Sequence, residues 1–239
     1  MQDLQIIGEG EYFVMSSYLK HIQHHLQEVG ISPTQLLKNS GLGAEVLPQH
    51  NLRLGHQSVA IANLNACQAV PSESDLIKDI ATRRTPSSHG TMGMAALLST
   101  DVHTALMIVD KYIKTRYSGI DSQLCIQDET ITMQLDVPDS IMQFDRLTVL
   151  STFLVLDTFL RTMLDTDSEN CITEISIQYP MPDDWDISDF PYVKFLFNQQ
   201  HNIITVPGYL LHSKIKFADQ KQFEVLTNDC DKELKTIRK

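Results

Sequence analysis

The sequence predicts an α+β protein: N-terminal helices, then a largely antiparallel sheet of about five strands covered by a long apolar helix, then a C-terminal helix. Three features carry that expectation. Apolar residues recur at helical spacing through the first half of the chain. Beyond Gly119 the period shortens to two, the signature of strands with one buried face. Residues 140–164 then form the most apolar segment, with Leu147, Leu150, Leu154, Leu156, Phe159, Leu160, Met163 and Leu164 on nearly all sides. Asp145, Arg146, Asp157 and Arg161 among them mark a core helix and not a membrane span.

Each element has a local reason. Tyr18, Leu19, Ile22, Leu26 and Val29 share one helical face, and Gly30 stands where a helix stops. Ser32-Pro33 supplies an N-cap and first-turn proline for a short helix ending near Gly41. Val59, Ala62, Ala66 and Val70 mark a third helix over about 55–70, and Leu76, Ile77 and Ile80 a fourth over about 73–84. A glycine-rich run follows, Ser87-Ser88-His89-Gly90-Thr91-Met92-Gly93-Met94. Thr100-Asp101 then caps a helix burying Val102, Ala105, Leu106, Val109, Tyr112 and Ile113. Leu124 and Ile126, then Ile131, Met133, Leu135 and Val137, alternate across Gln127-Asp128-Glu129 as a hairpin. Ile175, Ile177 and Tyr179 give a third strand, and Val193, Phe195 and Phe197 a fourth. Gln199-Gln200-His201-Asn202 turns that strand into a fifth, Ile203 to Val206, as a second hairpin.

At the C-terminus Phe223, Leu226, Cys230, Leu234 and Ile237 follow one another at intervals of 3, 4, 4 and 3, the seam of a two-helix contact. The helical pattern runs to the last residue with no cap, as if cut there. Three parts are expected: a helical part over 1–84, an α+β core over 85–217, and a terminal helix over 218–239.

The chain has 239 residues, 30 acidic and 19 basic, for a formal charge of −11. A body this acidic is ill suited to contact nucleic acid or an anionic membrane directly. No signal peptide opens the chain, so a cytoplasmic protein is expected. Cys67, Cys125, Cys171 and Cys230 lie too far apart for a metal or disulfide motif, and Cys125 and Cys171, in apolar strand-like runs, are expected to be buried thiols.

Catalytic patterns are missing. His21 and His25 are one helical turn apart, with His24 adjacent, yet no third metal ligand has matching spacing. The acidic loop from Asp183 to Asp189 lacks the glycine and terminal glutamate of a calcium loop. The glycine-rich run fits neither phosphate-binding pattern, and close packing accounts for Gly90 and Gly93 more simply. No metal or cofactor is expected. What remains is an apolar set that could wall a small-molecule pocket: Met92, Met94, Met133, Phe144, Tyr179 and Phe195, with His89, Arg116 and Tyr117 as polar groups. An ordinary core would account for most of them equally well.

Several stretches together resemble one branch of the AraC/XylS family of bacterial transcription regulators, the branch with an arabinose-binding-like N-terminal domain that includes ornithine-utilisation-type regulators. They are Gly30-Ile31-Ser32-Pro33 through Leu47, Thr85 to Ser99 with the helix Asp101 to Arg116, Phe197 to Asn202 with Pro207 to Leu211, and Phe217-Ala218-Asp219 with Cys230 to Leu234. The segment Asp183 to Lys194 fits that pattern only loosely. The resemblance implies an effector-sensing and dimerisation domain, with DNA read by a helix-turn-helix domain that this chain stops short of. It makes the last helix a linker, and makes an unknown small-molecule effector and a second copy the expected partners. We place the pocket between the long helix and the sheet, with the glycine-rich run at its mouth, and dimerisation on the 220–238 seam. A metabolic enzyme and a ligand-free dimerisation scaffold are the alternatives.

Overall fold

The structure, a computed structural model, describes residues 11–127, 130–137, 146–164 and 171–237, together with the backbone of 5–6. The helices form where their apolar stripes and caps place them. Helix α1 (Ser17–Glu28) buries Leu19, Ile22, His25 and Leu26 on one face. It stops at Gly30, whose φ of 79° turns the chain back so that the Ile31 amide reaches the Leu26 carbonyl at 2.7 Å. Ser32 caps α2 (Pro33–Leu36), its hydroxyl accepting from the Gln35 amide. Helix α3 (His56–Ala69) and helix α4 (Glu73–Arg83) follow. Ser72 caps α4 at 3.0 Å, and Glu73 and Asp75 in its first turn complement the helix dipole.

The glycine-rich run is itself helical: a 3-10 turn at Pro86–His89 leads into α5 (Gly90–Leu97). The Asp101 carboxylate accepts from the Thr104 amide at 2.8 Å and starts α6 (Val102–Tyr112).

Three short strands unforeseen in the sequence join the helical part: β1 (Gln5–Ile6), β2 (Phe13–Met15) and β3 (Arg53–Gly55), in the order β1-β3-β2. At two or three residues each they are too short for a period-two pattern to show. Their effect is positional. Strand β2 bridges antiparallel to Tyr117, and the Met15 amide donates to the Arg116 carbonyl at 3.0 Å, which fixes the backbone after α6.

The main sheet is built from β4 (Asp121–Ile126), β5 (Thr130–Asp136), β6 (Thr173–Ser176), β7 (Val193–Leu196) and β8 (Ile203–Pro207), in the order β4-β5-β8-β6-β7. The first hairpin forms as expected, although Asp128 and Glu129 of its turn lie outside the described residues. The second does not. Strand β8 inserts between β5 and β6, antiparallel to both, and β7 lies parallel to β6 at the far edge. Central β8 thereby pairs on both sides, which a β7–β8 hairpin at the edge would forgo. Strand β4 is an outer strand, so Cys125 is exposed and not buried as its apolar neighbours predicted.

Helix α7 (Arg146–Met163) divides the molecule. One side lies on the sheet, where Leu156 and Leu160, with Leu106 of α6, meet Ile131, Met133, Ile204 and Val206. At its C-terminal end Asp157 accepts from Thr173 of β6 at 2.7 Å and holds Arg161 in two bonds of 2.8 Å. The other side faces α3, α4 and a cavity. A single buried cluster runs from α1 through α7 to the sheet, without a break at residue 84. Helix α8 (Gln220–Ile237) closes over α5 and α6.

Candidate effector pocket

The cavity lies on the side of α7 away from the sheet. Its walls are Leu19 and Ile22 of α1, Val59 of α3, Met92 and Ala96 of α5, Val109 of α6, and Val155 and Phe159 of α7; the space between them, with the open solvent at the mouth included, is about 770 Å³. An apolar chamber with a few aimed polar groups is the usual form of a small-molecule site. Here the polar groups are Tyr18, Asn63, Arg84, His89, Arg116, Tyr117, Thr148 and Thr152.

Three of these make one stack. The Tyr18 hydroxyl lies 2.9 Å from His89 Nδ1, the Arg84 guanidinium sits 4.8 Å over the Tyr18 ring, and His89 meets the edge of Phe159 at 5.4 Å. Burial, then the charges of Arg84 and Arg116, hold the His89 pKa down at about 3, so its imidazole is neutral. Burial pushes the Tyr18 phenol up to about 12, against the opposing pull of the same two arginines. A neutral phenol donating to Nδ1 leaves the imidazole proton on Nε2, an atom that is buried and has no partner.

Arg84 is buried at 6 % exposure, and burial lowers its pKa to about 10, which still leaves it charged. Its Nη1 donates to Ser151 of α7 at 3.3 Å, and its Nε is buried without a partner. Asn63 donates to Thr148 of α7 at 2.9 Å, while its Oδ1 is likewise unsatisfied. Arg116 points the other way. It forms an ion pair with Glu233 of α8 and donates to Thr91 at 3.3 Å, and Thr91 donates to Glu233 at 2.5 Å. Gly90, at φ 57°, passes beneath this guanidinium, where a Cβ would lie 2.5 Å from Nη1.

Residues 30–215 match the family described as the arabinose-binding domain of AraC transcription regulator, N-terminal. The chain belongs to this family. Among solved structures, the arabinose-binding domain described here is similar to the transcriptional regulator CdpR from Pseudomonas aeruginosa, with a TM-score of 0.59 and 16 % identity over 88 % of this chain. It spans 61 % of the CdpR chain, and at that identity the likeness shows a shared fold. No curated protein matches the sequence. Among the described residues of the arabinose-binding domain, no helix is long and apolar enough to cross a membrane.

Of the residues singled out from the sequence, the structure brings His89, Met92, Arg116 and Tyr117 to the one cavity. Met94, two residues along α5 from Met92, is turned to the other side of the helix. Met133 packs between sheet and α7. Tyr179 is buried beyond β6, and Phe195 belongs to an aromatic cluster with Trp185, Phe190 and Phe197. Phe144 lies outside the described residues.

The larger cavity does not lie in the expected place, between the long helix and the sheet. Leucines and β-branched side chains fill that contact, and the larger space lies on the opposite side of α7. Sequence reasoning passed over Asn63 and Arg84 as polar groups and took Tyr18 as core. A signal was present: Asn63 stands four residues after Val59, and Arg84 four after Ile80, so each continues an apolar stripe with a polar side chain.

The C-terminal seam packs within its own chain. Cys230 is fully buried, and Phe223, Leu226 and Leu234 pack against the core of the same chain, with Ile237 half-buried at the end. The two-helix contact is therefore α8 on α5, reinforced by Tyr112 donating to Asp231 at 2.7 Å and Arg53 to Thr236 at 2.7 Å. The histidines of α1 diverge. His21 meets Ser88 at 3.1 Å, and His25 meets Asp79 at 3.2 Å. His25, Glu28 and Asp79 present ligand atoms within 4.8 Å of one another, and Arg83, bonded to both carboxylates at 2.6 Å, already supplies the cation.

Proposed function

We propose that this domain senses a small-molecule effector held in the cavity behind α7 and reports occupancy to α8, which would carry the signal to a DNA-reading module. The carrying observation is that Arg116 belongs to both places: it lines the cavity and pairs with Glu233 of α8. A guest that draws on Arg116 competes with Glu233 and so favours one setting of α8 over another. Such differential affinity is the only way a ligand shifts an equilibrium. Membership of the AraC family and the likeness to a transcriptional regulator support this reading.

The lining supports a sensing reading over a catalytic one. No carboxylate is among its described residues, and His89 is held neutral with its Nδ1 engaged by Tyr18. That leaves no paired acid and base. A homodimer remains part of the proposal, since Phe223, Leu226 and Leu234 are only partly covered by the chain's own core.

Filling the cavity tests the reading. Ala96→Trp, which places an indole in the chamber, should abolish effector binding in calorimetry while circular dichroism stays native. In the unaltered protein an effector at 100 times its dissociation constant should add about 2.7 kcal/mol of stability. Undiminished binding in the Ala96→Trp protein would place the effector elsewhere, and turnover in a substrate panel would return the enzyme alternative.

A further inference from the structure

The cavity described above carries a charge that nothing in the described chain neutralises. Arg84 is buried, and no described carboxylate is paired with it; its polar partner is the Ser151 hydroxyl, and its cation rests on the Tyr18 ring. The second guanidinium of the lining, Arg116, is already matched by Glu233. Burying an unmatched cation is costly, and its persistence calls for a counter-ion. Two further observations bear on what that counter-ion is. Arg84 Nε–H and His89 Nε2, which carries the imidazole proton when Tyr18 donates to Nδ1, are both buried without partners, and both residues touch Tyr18. On the outer side of Arg116 a shallow groove bears Lys20, His21, His50 and Ser88, with no carboxylate in its lining.

We infer that the effector is a monocarboxylate with an apolar body: its carboxylate pairs with Arg84, accepts from His89 Nε2, and leaves the body among the apolar walls. This rests on the cavity being the effector site. One unmatched guanidinium balances one negative charge, so a dianionic phosphate would be left half compensated in an apolar chamber. Two buried N–H donors in one lining suit the two oxygens of a carboxylate. A cationic head group would meet Arg84 with no acid to receive it. Asn63 Oδ1, an unsatisfied acceptor one turn along α7 from the Arg84–Ser151 contact, suits a hydroxyl or amide N–H on the body.

The test is a comparison of head groups on fixed bodies, by calorimetry and thermal shift with the dialysed protein: octanoate, octanol and octylamine, and phenylacetate, phenylethanol and phenylethylamine. The carboxylate of at least one body should bind about tenfold or more tighter than its alcohol, and the amine should not bind. In an Arg84→Met variant that preference should vanish while alcohol binding persists. The empty Arg84→Met protein should also melt higher than the unaltered one, since an apolar chain replaces an unmatched buried cation; an arginine serving only structure would give the reverse. An alcohol or amine binding as well as its carboxylate would overturn the assignment and leave the pocket standing. Failure of every probe to bind at millimolar concentration would overturn both. The head-group ranking is read in the unaltered chain, so it does not depend on the variant folding.

Discussion

In the folded chain His89 takes up a proton only near pH 3, because burial and the neighbouring Arg84 and Arg116 charges oppose it. Unfolded, the same imidazole titrates near its ordinary value of 6.5. Between those limits acid protonates the unfolded chain first, so stability falls as pH falls below about 6.5 and is unaffected by this group above it. The slope due to one such group is on the order of 1.4 kcal/mol per pH unit. His21, lowered to about 4 by its burial and by Arg84, adds to the same acid limb. A His89→Gln variant should therefore lose less stability than the parent between pH 7 and pH 5 in urea unfolding. Identical losses would mean that His89 is not held neutral by its surroundings. His89, Met92, Arg116 and Tyr117 were legible as cavity residues because a glycine-rich turn and a helix end are places where side chains face a cleft. Arg84 was passed over because it follows Arg83 as a second charge at a helix end, although it continues the apolar stripe of Ile80.

At the scale of elements, α7 and α8 hold the argument together. The sequence showed α7 to be apolar on nearly all sides, which announced a central helix but left open which side would meet the sheet and which the cavity. The α8 seam was legible as a two-helix contact, yet its spacing is the same whether the partner helix is α5 or a second copy. The structure seats Cys230 and Leu234 on the chain's own core. Leu226→Asp combined with Leu234→Asp should lower the melting temperature and speed amide exchange along 220–237. A seam used only between copies would instead give a monomer as stable as the parent, and light scattering alongside calorimetry separates the two outcomes.

Across the whole molecule, the class of the fold and the identity of most elements could be read from periodicity and caps, as the Ser32, Ser72 and Asp101 caps show. The strand order could not, since the placement of β8 between β5 and β6 depends on contacts far apart in sequence. Nor could the N-terminal three-stranded sheet, whose strands exist through their pairing more than through their composition. The net charge of −11 described the exterior and concealed the electropositive chamber within. A surface tally cannot register two arginines among twenty-one lining residues drawn from five helices, strand β2 and the turns around them. The proposed effector site is thus a property of the assembled tertiary structure: walls from α1, α3, α5, α6 and α7, and a charged tie to α8.

Amide hydrogen exchange over the full chain, with and without the tightest-binding carboxylate at saturation, tests that account most directly. Slower exchange should appear at 84–96, 109–120 and 148–159, the segments around the chamber, together with altered exchange along 220–237 where Glu233 shares Arg116. A ligand that binds with measurable heat yet protects a different region, or leaves 220–237 unchanged, would contradict it.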